Sequence, residues 1–514
     1  MTPTLNILGL VGTGVMGSGI AQIAAQAGLT VRLFDARDGA ARTARNSLAA
    51  TFDKLVAKGK IEAVAAAAAL ERLQVADTLE ALADCDVVVE AIIERLDAKQ
   101  ELLTRLEAIV SPDCILATNT SSLSVTAIAR ACQTPERVAG FHFFNPVPLM
   151  KVVEVIDGLA TDPAVGDALL ALAERMGHRG VRAKDTPGFI VNHLGRAYGT
   201  EALKIHDEGV APRGDIDRIL REGAGFRMGP LELFDLTGLD VSHPVMESIY
   251  TQFYHDPRYR PSALTRLMLE GGRVGRKAGQ GFYRYAHGQM IDPPVPQLVP
   301  AVEGWPPVWI GTESAADAER LRTLVASLGA TVESGDTPSP AALCLLAPYG
   351  RDATGAALLW QTNPARTVCI DLLTDLRRHR TLMLTPATGA GMRDAAHALL
   401  ASDGVGVTVI RDSVGFVAQR TLAAIVNLAC EIAQQGIAGV DDIDEAVRLG
   451  LGYPQGPLAW GDKLGAPCCC RSWNACMPLP ATRATAPARG CAAAPYSACR
   501  CAIPNLLSCA EPRC

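Results

Sequence analysis

Short apolar stretches alternate with longer stretches of helical periodicity along the first 185 residues, a pattern typical of strands joined by helices. The apolar runs begin near Leu5, Thr30, Cys85 and Cys114, and each ends at a polar or glycine-rich turn. After residue 186 the strand-like runs stop, and apolar positions recur with the period of amphipathic helices. We therefore predict an α/β domain over residues 1–185 and an all-α domain over residues 186–285.

The second half of the chain repeats the first at an offset of 227 residues. A proline-rich stretch without periodicity, residues 286–304, precedes the repeat and is typical of a linker. Four strand-like runs then predict a degenerate copy of the α/β domain over residues 305–411, and a second, truncated helical domain over residues 412–465. The repeated positions are Asp185, Gly188 and Phe189 with Asp412, Gly415 and Phe416, Asp215–Asp217 with Asp442–Asp444, and Gly229–Leu231 with Gly456–Leu458.

The repeat stops at Gly465, and residues 466–514 hold nine of the fifteen cysteines. The cysteines there lack ligand-pair spacing, so a metal module is the weaker interpretation. Thr482–Pro487 is what the codons for Asp256–Pro261 would encode if they were read one base late. We therefore interpret residues 466–514 as an out-of-frame tail, and we expect it to be poorly ordered.

A glycine-rich turn follows the first apolar run. Gly12, Gly14 and Gly17 form a GxGxxG pattern between a strand and a helix, and Asp35 ends the next strand. Such glycines let the backbone approach a pyrophosphate at a helix N-terminus, while the acid accepts hydrogen bonds from ribose hydroxyls. The order predicts a Rossmann-type NAD site, with some tolerance for NADP left by Arg37. The alternative is a glycine-rich turn with a capping aspartate.

Composition narrows the classes of function. The chain has 514 residues, 20% of them charged, and a net charge of -6, which argues against a nucleic-acid footprint. No apolar run reaches the length of a membrane span, and the N-terminus shows no signal-peptide pattern, so we expect a cytoplasmic protein without a membrane partner. The six cysteines before residue 466 are scattered singly, and we expect no metal site.

Polar residues in apolar surroundings mark a candidate catalytic site. His142 and Asn145 lie in the apolar run Phe141–Pro148, and Glu154 lies in the middle of the strand Val152–Ile156. A histidine and a glutamate that meet in an apolar pocket form an oriented general base. A buried histidine satisfied by hydrogen bonds is the structural alternative.

Other polar groups follow the ends of the predicted strands, where ligands bind in open α/β sheets. Glu94 and Lys99 follow one strand. Ser121 follows the next, where its hydroxyl suits a substrate, a nicotinamide or a helix N-cap. Lys54 and Lys58 belong to a lysine cluster on an alanine-rich helix. Such a cluster is usually a solvated face, and the alternative is contact with an anionic part of a substrate.

Taken in order, these motifs resemble the NAD-dependent L-3-hydroxyacyl-CoA dehydrogenases over residues 5–285. The segments that carry the resemblance are the GxGxxG turn, Asp35, Asn119–Ser122, His142–Val155 and Asp185–Asn192. The resemblance implies interconversion of 3-hydroxyacyl-CoA and 3-oxoacyl-CoA. It also implies roles for single residues: His142 as the base and Glu154 as its orienting partner, Ser121, Asn145 and Asn192 as contacts to substrate or nicotinamide, Asp35, Glu94 and Lys99 as contacts to the cofactor, and Lys54 and Lys58 near the CoA phosphates.

The resemblance also implies a homodimer, or a pseudo-dimer formed through the two helical domains. The second unit has no GxGxxG and no HFFNP motif, and Gln419 stands at the position of Asn192, so we expect it to be structural. The first unit should then stay active when the chain is cut in the linker, provided its subunit contacts do not depend on the second. Two-unit chains of this kind resemble dehydrogenases of aerobic aromatic degradation, including those of the phenylacetate route.

Two other functions remain open at this point. A dehydrogenase of a free β-hydroxy acid usually relies on a lysine base, whereas His142 occupies that place here. A non-catalytic NAD(H)-binding protein would share the glycine-rich turn and lack turnover.

Overall fold

The structure, a computed structural model, describes residues 5–464. Packing divides the chain into two compact units, Met1–His193 with Gln435–Gly452, and Leu194–Gln434 with the segment that starts at Tyr453. The first unit thus contains a segment of the second sequence repeat. The predicted tail, residues 466–514, lies outside the described residues.

An eight-stranded sheet with strand order β3-β2-β1-β4-β5-β6-β7-β8 forms the first α/β domain. All neighbouring strands are parallel except β6 and β7, which pair antiparallel. The central strands are buried along their whole length, as expected of a sheet covered by helices on both faces. The strands are β1 (Ile7–Val11), β2 (Thr30–Phe34), β3 (Leu73–Val75), β4 (Val87–Glu90), β5 (Ile115–Thr118), β6 (Val138–Phe143), β7 (Val152–Asp157) and β8 (Arg179–Lys184).

Six helices connect these strands. The first begins directly after the glycine-rich turn and buries one face, which includes Ile20 and Ile23, against the sheet. The alternation of strands and helices confirms the predicted Rossmann-type fold. The helices are α1 (Val15–Gln26), α2 (Ala40–Ala57), α3 (Ala63–Arg72), α4 (Leu96–Glu107), α5 (Val125–Ala129) and α6 (Pro163–Arg175).

The first helical domain follows, and it closes with a short hairpin. One of its helices, α8, continues into a π-helical turn at Ile219–Gly223. The elements are α7 (Val191–Asp207), α8 (Arg213–Arg218), α9 (Pro230–Thr237), α10 (Leu239–Gln252), α11 (Ala263–Glu270), β9 (Tyr285–Ala286) and β10 (Gln289–Met290).

A five-stranded sheet with strand order β11-β12-β13-β14-β15 begins the second repeat. Its third and fourth strands pair antiparallel and the other neighbours are parallel, which is the pattern of β4 to β8 in the first sheet. The elements are β11 (Val308–Thr312), α12 (Ala315–Ser327), β12 (Leu343–Ala347), α13 (Ala353–Leu359), β13 (Thr367–Ile370), β14 (His379–Leu384), α14 (Ala390–Leu400) and β15 (Gly406–Ile410).

Three helices of the second helical domain end the described chain, α15 (Val417–Gln434), α16 (Val440–Gly450) and α17 (Pro457–Leu464). Within the second compact unit, Arg420 of α15 pairs with Glu201 of α7 at 2.8 Å, so helices of the two repeats meet there. Helix α16 instead packs on β7 and β8 of the first sheet. The first sheet is therefore covered by a helix of the second repeat, and a fragment that ends in the linker would lack this helix. The activity expected of such a fragment stays a prediction.

The sequence pattern missed one strand of the second sheet. Strand β14 begins with His379, Arg380 and Thr381, which are polar and yet buried. Arg380 pairs with Asp403 at 2.7 Å, and the His379 ring lies 2.9 Å from the Thr408 hydroxyl. Partners from other elements make this strand possible, and no local periodicity reveals them.

Candidate active site

His142 and Glu154 face each other across the antiparallel pair β6 and β7. The imidazole Nδ1 lies 2.7 Å from Glu154 Oε2, and both side chains are buried. The rings of Phe144 and Phe189 lie 4.4 Å and 5.9 Å from the imidazole, measured between ring centroids. Because apolar rings exclude water, the carboxylate and the imidazole interact more strongly here than they would at the surface.

The second oxygen of Glu154 is held by the backbone at the start of α7. Glu154 Oε1 accepts hydrogen bonds from the N–H groups of Ile190 at 2.9 Å and Val191 at 2.8 Å. Gly188 and Phe189 just before them adopt positive φ angles of 77° and 52°, a conformation that costs free energy at a non-glycine residue. The carboxylate is thus fixed on one side by two amides and on the other by the imidazole.

This arrangement fixes the tautomer of His142. A carboxylate accepts hydrogen bonds, so Nδ1 must carry the proton that it donates to Glu154. In the neutral ring, Nε2 then holds a lone pair and can take a proton from a substrate. The geometry is that of a general base with an orienting partner.

Ser121 and Asn192 are brought together next to Glu94. The Asn192 amide donates to the Ser121 carbonyl oxygen at 3.3 Å, and the Ser121 N–H donates to Glu94 Oε1 at 2.9 Å. Asn192 directly follows Val191 in the chain, so it lies one residue from an amide that holds Glu154. Asn192 therefore links the loop of Ser121 to the segment of backbone that holds Glu154.

Glu94 collects donors from a single loop. Burial would raise the pKa of its carboxyl, but the ammonium of Lys99 and hydrogen bonds from residues 120–122 lower it. Lys99 itself is buried, with its Nζ 2.6 Å from Glu90 Oε1 and 3.2 Å from Glu94 Oε2. In this structure the lysine therefore supports Glu94, and its ammonium is already engaged.

The glycine-rich turn has the shape that a dinucleotide requires. A Cβ at Gly17 would lie 1.9 Å from the Gly12 carbonyl oxygen, and a Cβ at Gly12 would lie 2.6 Å from the Ala91 oxygen. At Gly14, by contrast, nothing lies within 4 Å of the position of a Cβ. Gly12 and Gly17 allow the tight turn, and Gly14 leaves open space beside the N-terminus of α1, as the binding of a pyrophosphate requires.

Asp35 lies at the end of β2 beside this turn. Its carboxylate accepts hydrogen bonds from the N–H and hydroxyl of Thr13, both at 2.8 Å, and pairs with Arg37 at 3.0 Å. Burial opposes ionisation, but Arg37 and Thr13 hold the pKa of Asp35 well below its ordinary value. An ionised carboxylate at this place accepts ribose hydroxyls and disfavours a 2′-phosphate.

A groove of about 1000 Å³ lies elsewhere in the helical domain, whereas the groove beside the glycine-rich turn measures about 830 Å³. The chemistry favours the smaller one, because it is lined by the turn, the loop Asn145–Pro148 and one face of α2. Ser47 and Thr51 line it, and Lys54 and Lys58 continue the same helical face beyond. Asn145 lies in this groove.

Several residues of the site escaped the sequence analysis. The fully buried carboxylate of Glu90 holds Lys99 and, through its other oxygen, the Thr118 hydroxyl at 2.7 Å. The Asn119 side chain accepts from the Phe143 N–H at 2.8 Å and so ties the loop after β5 to the strand that carries His142. A charged residue inside the apolar run Val87–Glu90 was the available signal for the first of these.

Comparison with known proteins identifies the family. Residues 7–186 match the NAD binding domain of 3-hydroxyacyl-CoA dehydrogenase, and residues 188–285 and 415–489 match its C-terminal domain. The chain belongs to the 3-hydroxyacyl-CoA dehydrogenase family. It is therefore an NAD-dependent oxidoreductase that acts on acyl-CoA substrates, as the sequence motifs predicted.

Individual relatives cover either the whole chain or its first half. A 3-hydroxyadipyl-CoA dehydrogenase of Escherichia coli K12 is 37% identical over 90% of this chain and 92% of its own length. A probable 3-hydroxybutyryl-CoA dehydrogenase of Bacillus subtilis is 42% identical over 53% of this chain and 95% of its own. The crystal structure of a 3-hydroxybutyryl-CoA dehydrogenase from E. coli K12 superposes with a TM-score of 0.84, at 35% identity, over 95% of this chain and 98% of that one.

Two further observations concern the described residues alone. Among residues 5–464, no helix is long and apolar enough to cross a membrane. In the same range, no group of three or more His, Cys, Asp or Glu side chains is arranged to hold a metal ion.

Proposed function

We propose that the reaction takes place at the His142–Glu154 pair, with a (3S)-3-hydroxyacyl-CoA as the substrate to be oxidised. The observation that carries the proposal is the buried contact of 2.7 Å between His142 Nδ1 and Glu154 Oε2. When bound, NAD supplies the ring that accepts the hydride. His142 Nε2 takes the proton of the 3-hydroxyl group, and Glu154 stabilises the imidazolium that results.

Ser121 and Asn192 bind the reacting oxygen in this proposal. The contact between the Asn192 amide and the Ser121 carbonyl, and the place of Asn192 directly after Val191, support it. Hydrogen bonds to that oxygen favour the planar ketone of the product and orient the 3-hydroxyl toward His142. Glu94 holds the Ser121 loop, and Lys99 acts through Glu94.

The CoA moiety is proposed to extend along α2. Lys54 and Lys58 are exposed at the end of the helical face that lines the groove, where ammonium groups suit phosphates. Asp35 and the glycine-rich turn hold the adenosine and pyrophosphate of NAD, and Asn145 contacts the nicotinamide or the substrate from the loop between β6 and β7.

We further propose that the physiological substrate is a dicarboxylic acyl-CoA of aromatic degradation. The relative named for 3-hydroxyadipyl-CoA aligns with both repeats at 37% identity, and this supports the dicarboxylic substrate. A solved structure named for 3-hydroxybutyryl-CoA also spans both repeats, so the shorter substrate is the second candidate. A cytoplasmic location and assembly through the helical domains belong to the same proposal. Six free, buried cysteines in the described chain support a reducing compartment.

The purified protein with acetoacetyl-CoA and NADH tests the reaction by loss of NADH absorbance. Turnover that disappears in His142→Gln supports the proposal, and absence of turnover in the unaltered protein refutes it. Comparison of kcat/KM for 3-hydroxyadipyl-CoA and 3-hydroxybutyryl-CoA tests the substrate. A higher value for the shorter substrate would contradict the dicarboxylic assignment.

A further inference from the structure

Strand β8 forms one edge of the first sheet, and α16 of the second repeat covers it together with β7. The Asp442 carboxylate of this helix accepts hydrogen bonds from the Arg179 side chain at 2.8 Å and from the Arg182 N–H at 3.2 Å. Just before the helix, the Ile437 carbonyl accepts from the Lys184 N–H at 2.8 Å. Polar contacts at its first turn thus fix α16 along the strand.

The last turn of α16 touches the start of α7. A Cβ at Gly450 would lie 3.1 Å and 3.2 Å from the two methyl carbons of Val191, and 3.4 Å from a methyl carbon of Val152. The two distances to Val191 are shorter than nine in ten of the Cβ contacts found in real proteins. A methyl group added at Gly450 must therefore displace Val191. The absence of a side chain at Gly450 is what lets the helix end there.

Val191 is one of the two residues whose amides hold the catalytic carboxylate. Its N–H lies 2.8 Å from Glu154 Oε1, while Glu154 Oε2 lies 2.7 Å from His142 Nδ1. Three successive contacts therefore link Gly450 to the imidazole. Each member of this chain is buried except the glycine, so a displacement at one end has little free volume in which to relax.

We propose that α16 is a positioning element of the active site, and that Gly450, through Val191, sets the orientation of Glu154 toward His142. The inference rests on the proposed roles of His142 and Glu154. The second repeat thereby contributes to catalysis although it carries no active site of its own. Gly450 and Asp442 are positioning residues that do not touch the substrate.

The second compact unit contains the equivalent contact between a helical segment of the first repeat and the second sheet. There the Arg411 N–H donates to the Val210 carbonyl at 3.0 Å, the counterpart of the bond between Lys184 and Ile437. The counterpart of Gly450 is Gly223, where a Cβ would lie 3.3 Å from Thr374. The same helix exchange thus occurs twice, and only one of the two contacts leads to a histidine–glutamate pair.

Gly450→Ala tests the inference, and Gly439→Ala is the matched control. Gly439 precedes the same helix with φ -71°, and nothing lies within 4 Å of the position of its Cβ. We expect Gly450→Ala to lower kcat by about tenfold, because small misplacements of catalytic groups are costly, with KM for NADH unchanged within twofold. Gly439→Ala should leave both constants unchanged.

The path through Val191 is tested by repeating Gly450→Ala in a Val191→Ala background, where the added methyl group has room. There the substitution should change kcat by less than twofold, which is a coupling that a loss of stability alone would not produce. Asp442→Asn serves if Gly450→Ala fails to fold, with the same fall in kcat at constant KM for NADH. A kcat for these variants equal to that of Gly439→Ala, or equal losses in both backgrounds, would overturn the inference.

The outcomes separate this inference from the proposed function. An inactive His142→Gln with a fully active Gly450→Ala leaves the reaction assignment intact and removes the role of α16. An unaltered protein without turnover removes the assignment of the reaction itself.

Discussion

The two sheets of this chain share one topology over five strands, but they differ in the residues at the positions of the candidate cofactor and catalytic sites. Strands β11 to β15 have the order and directions of β4 to β8, so among residues 5–464 the second repeat has no counterpart of β1, β2 and β3. Those three strands and the turn after β1 form the half of the domain that contains the proposed cofactor site. The second repeat therefore lacks the GxGxxG motif because it lacks the whole half-domain that contains this motif in the first repeat.

The position of the catalytic pair shows the same divergence. Thr381 stands at the repeat position of Glu154, and its carbonyl accepts a hydrogen bond from the Asp371 N–H at 3.0 Å. Asp371 thus lies opposite Thr381 as His142 lies opposite Glu154, although the repeat position of His142 itself is Cys369. Gln419, at the repeat position of Asn192, is fully buried and donates to Asp371 Oδ1 at 3.0 Å. Its other amide contacts are the Gly350 N–H and the Pro348 carbonyl.

The comparison shows which part of the repeat has been retained. The second sheet preserves the strands that pack against an exchanged helical segment, and its polar residues bond to one another. In the first sheet, the proposed site instead leaves Nε2 of His142 to act on a substrate, while Nδ1 is held by Glu154. In this proposal, packing and catalysis are divided between two copies of the same supersecondary structure.

The largest expected difference between the sheets is in the effect of replacing His142, which lies opposite Glu154, and Asp371, which lies opposite Thr381. His142→Gln should lower kcat by ~10²–10⁴, the usual contribution of a general base, with NADH affinity within a few-fold of the original. Asp371→Asn should leave kcat within twofold. Steady-state kinetics with acetoacetyl-CoA and a titration followed by the fluorescence of NADH itself measure the two effects. Near-normal turnover of His142→Gln would remove the assignment of the base.

A second comparison sets Glu154 against Thr381. Glu154→Gln should lower kcat by roughly 10-fold to 10³-fold, because the amide no longer fixes the tautomer or stabilises the imidazolium. Its effect should not add to that of His142→Gln, since the two residues act as a unit. Thr381→Val, which is nearly isosteric, should be kinetically silent. Additive losses in the double variant would show that Glu154 acts independently of His142.

The cofactor half, present in the first sheet alone, gives a third prediction. Asp35→Ala should raise KM for NAD by about tenfold and narrow the preference for NAD over NADP, because the ribose loses an acceptor and Arg37 loses its partner carboxylate. Initial rates with both cofactors measure the change. An unchanged preference would place the determinant of specificity outside Asp35.

Sequence patterns were sufficient for features with a local cause. The glycine-rich turn, the end of β2 at Asp35 and the apolar strands β4 to β6 follow from spacing and hydrophobicity, and the family comparison confirms the fold they predict. The reaction class followed from motifs such as His142–Val155, through a family resemblance that the comparison also confirms.

Features with a distant cause were not visible in the sequence. Strand β14 depends on partners for Arg380 that come from another element. The placement of α16 on the first sheet depends on Asp442. The sequence pattern shows only that Asp442, like its counterpart Asp215, belongs to an amphipathic helix. The repeat predicted that both segments exist, but only tertiary packing decides which sheet each one covers.

The smallest expected effect concerns the stability of the second sheet around Asp371, and it depends on pH. Burial raises the pKa of the Asp371 carboxyl to about 6, against which hydrogen bonds from Leu373 and Gln419 act only in part. Below the ordinary aspartate range the group is neutral in both folded and unfolded chains. As the pH rises through that range to about 6, the unfolded chain ionises first, so the folded state loses stability, by about 3 kcal/mol at most.

Asp371→Asn removes this dependence while its Oδ1 can still accept from the Leu373 N–H and Gln419 at 3.0 Å. Relative to the unaltered protein, the variant should therefore gain thermal stability between pH 4 and pH 7 and show a constant difference above that. Any change in stability that the amide group itself causes is the same at every pH, so it does not alter the dependence of the Tm difference on pH. Tm measured by circular dichroism in one buffer series, with Asp336→Asn as an exposed control in the same compact unit, gives the slope. A Tm difference that does not vary with pH would mean that Asp371 is ionised in the folded chain, and that the degenerate site retains more solvent than its counterpart in the first sheet.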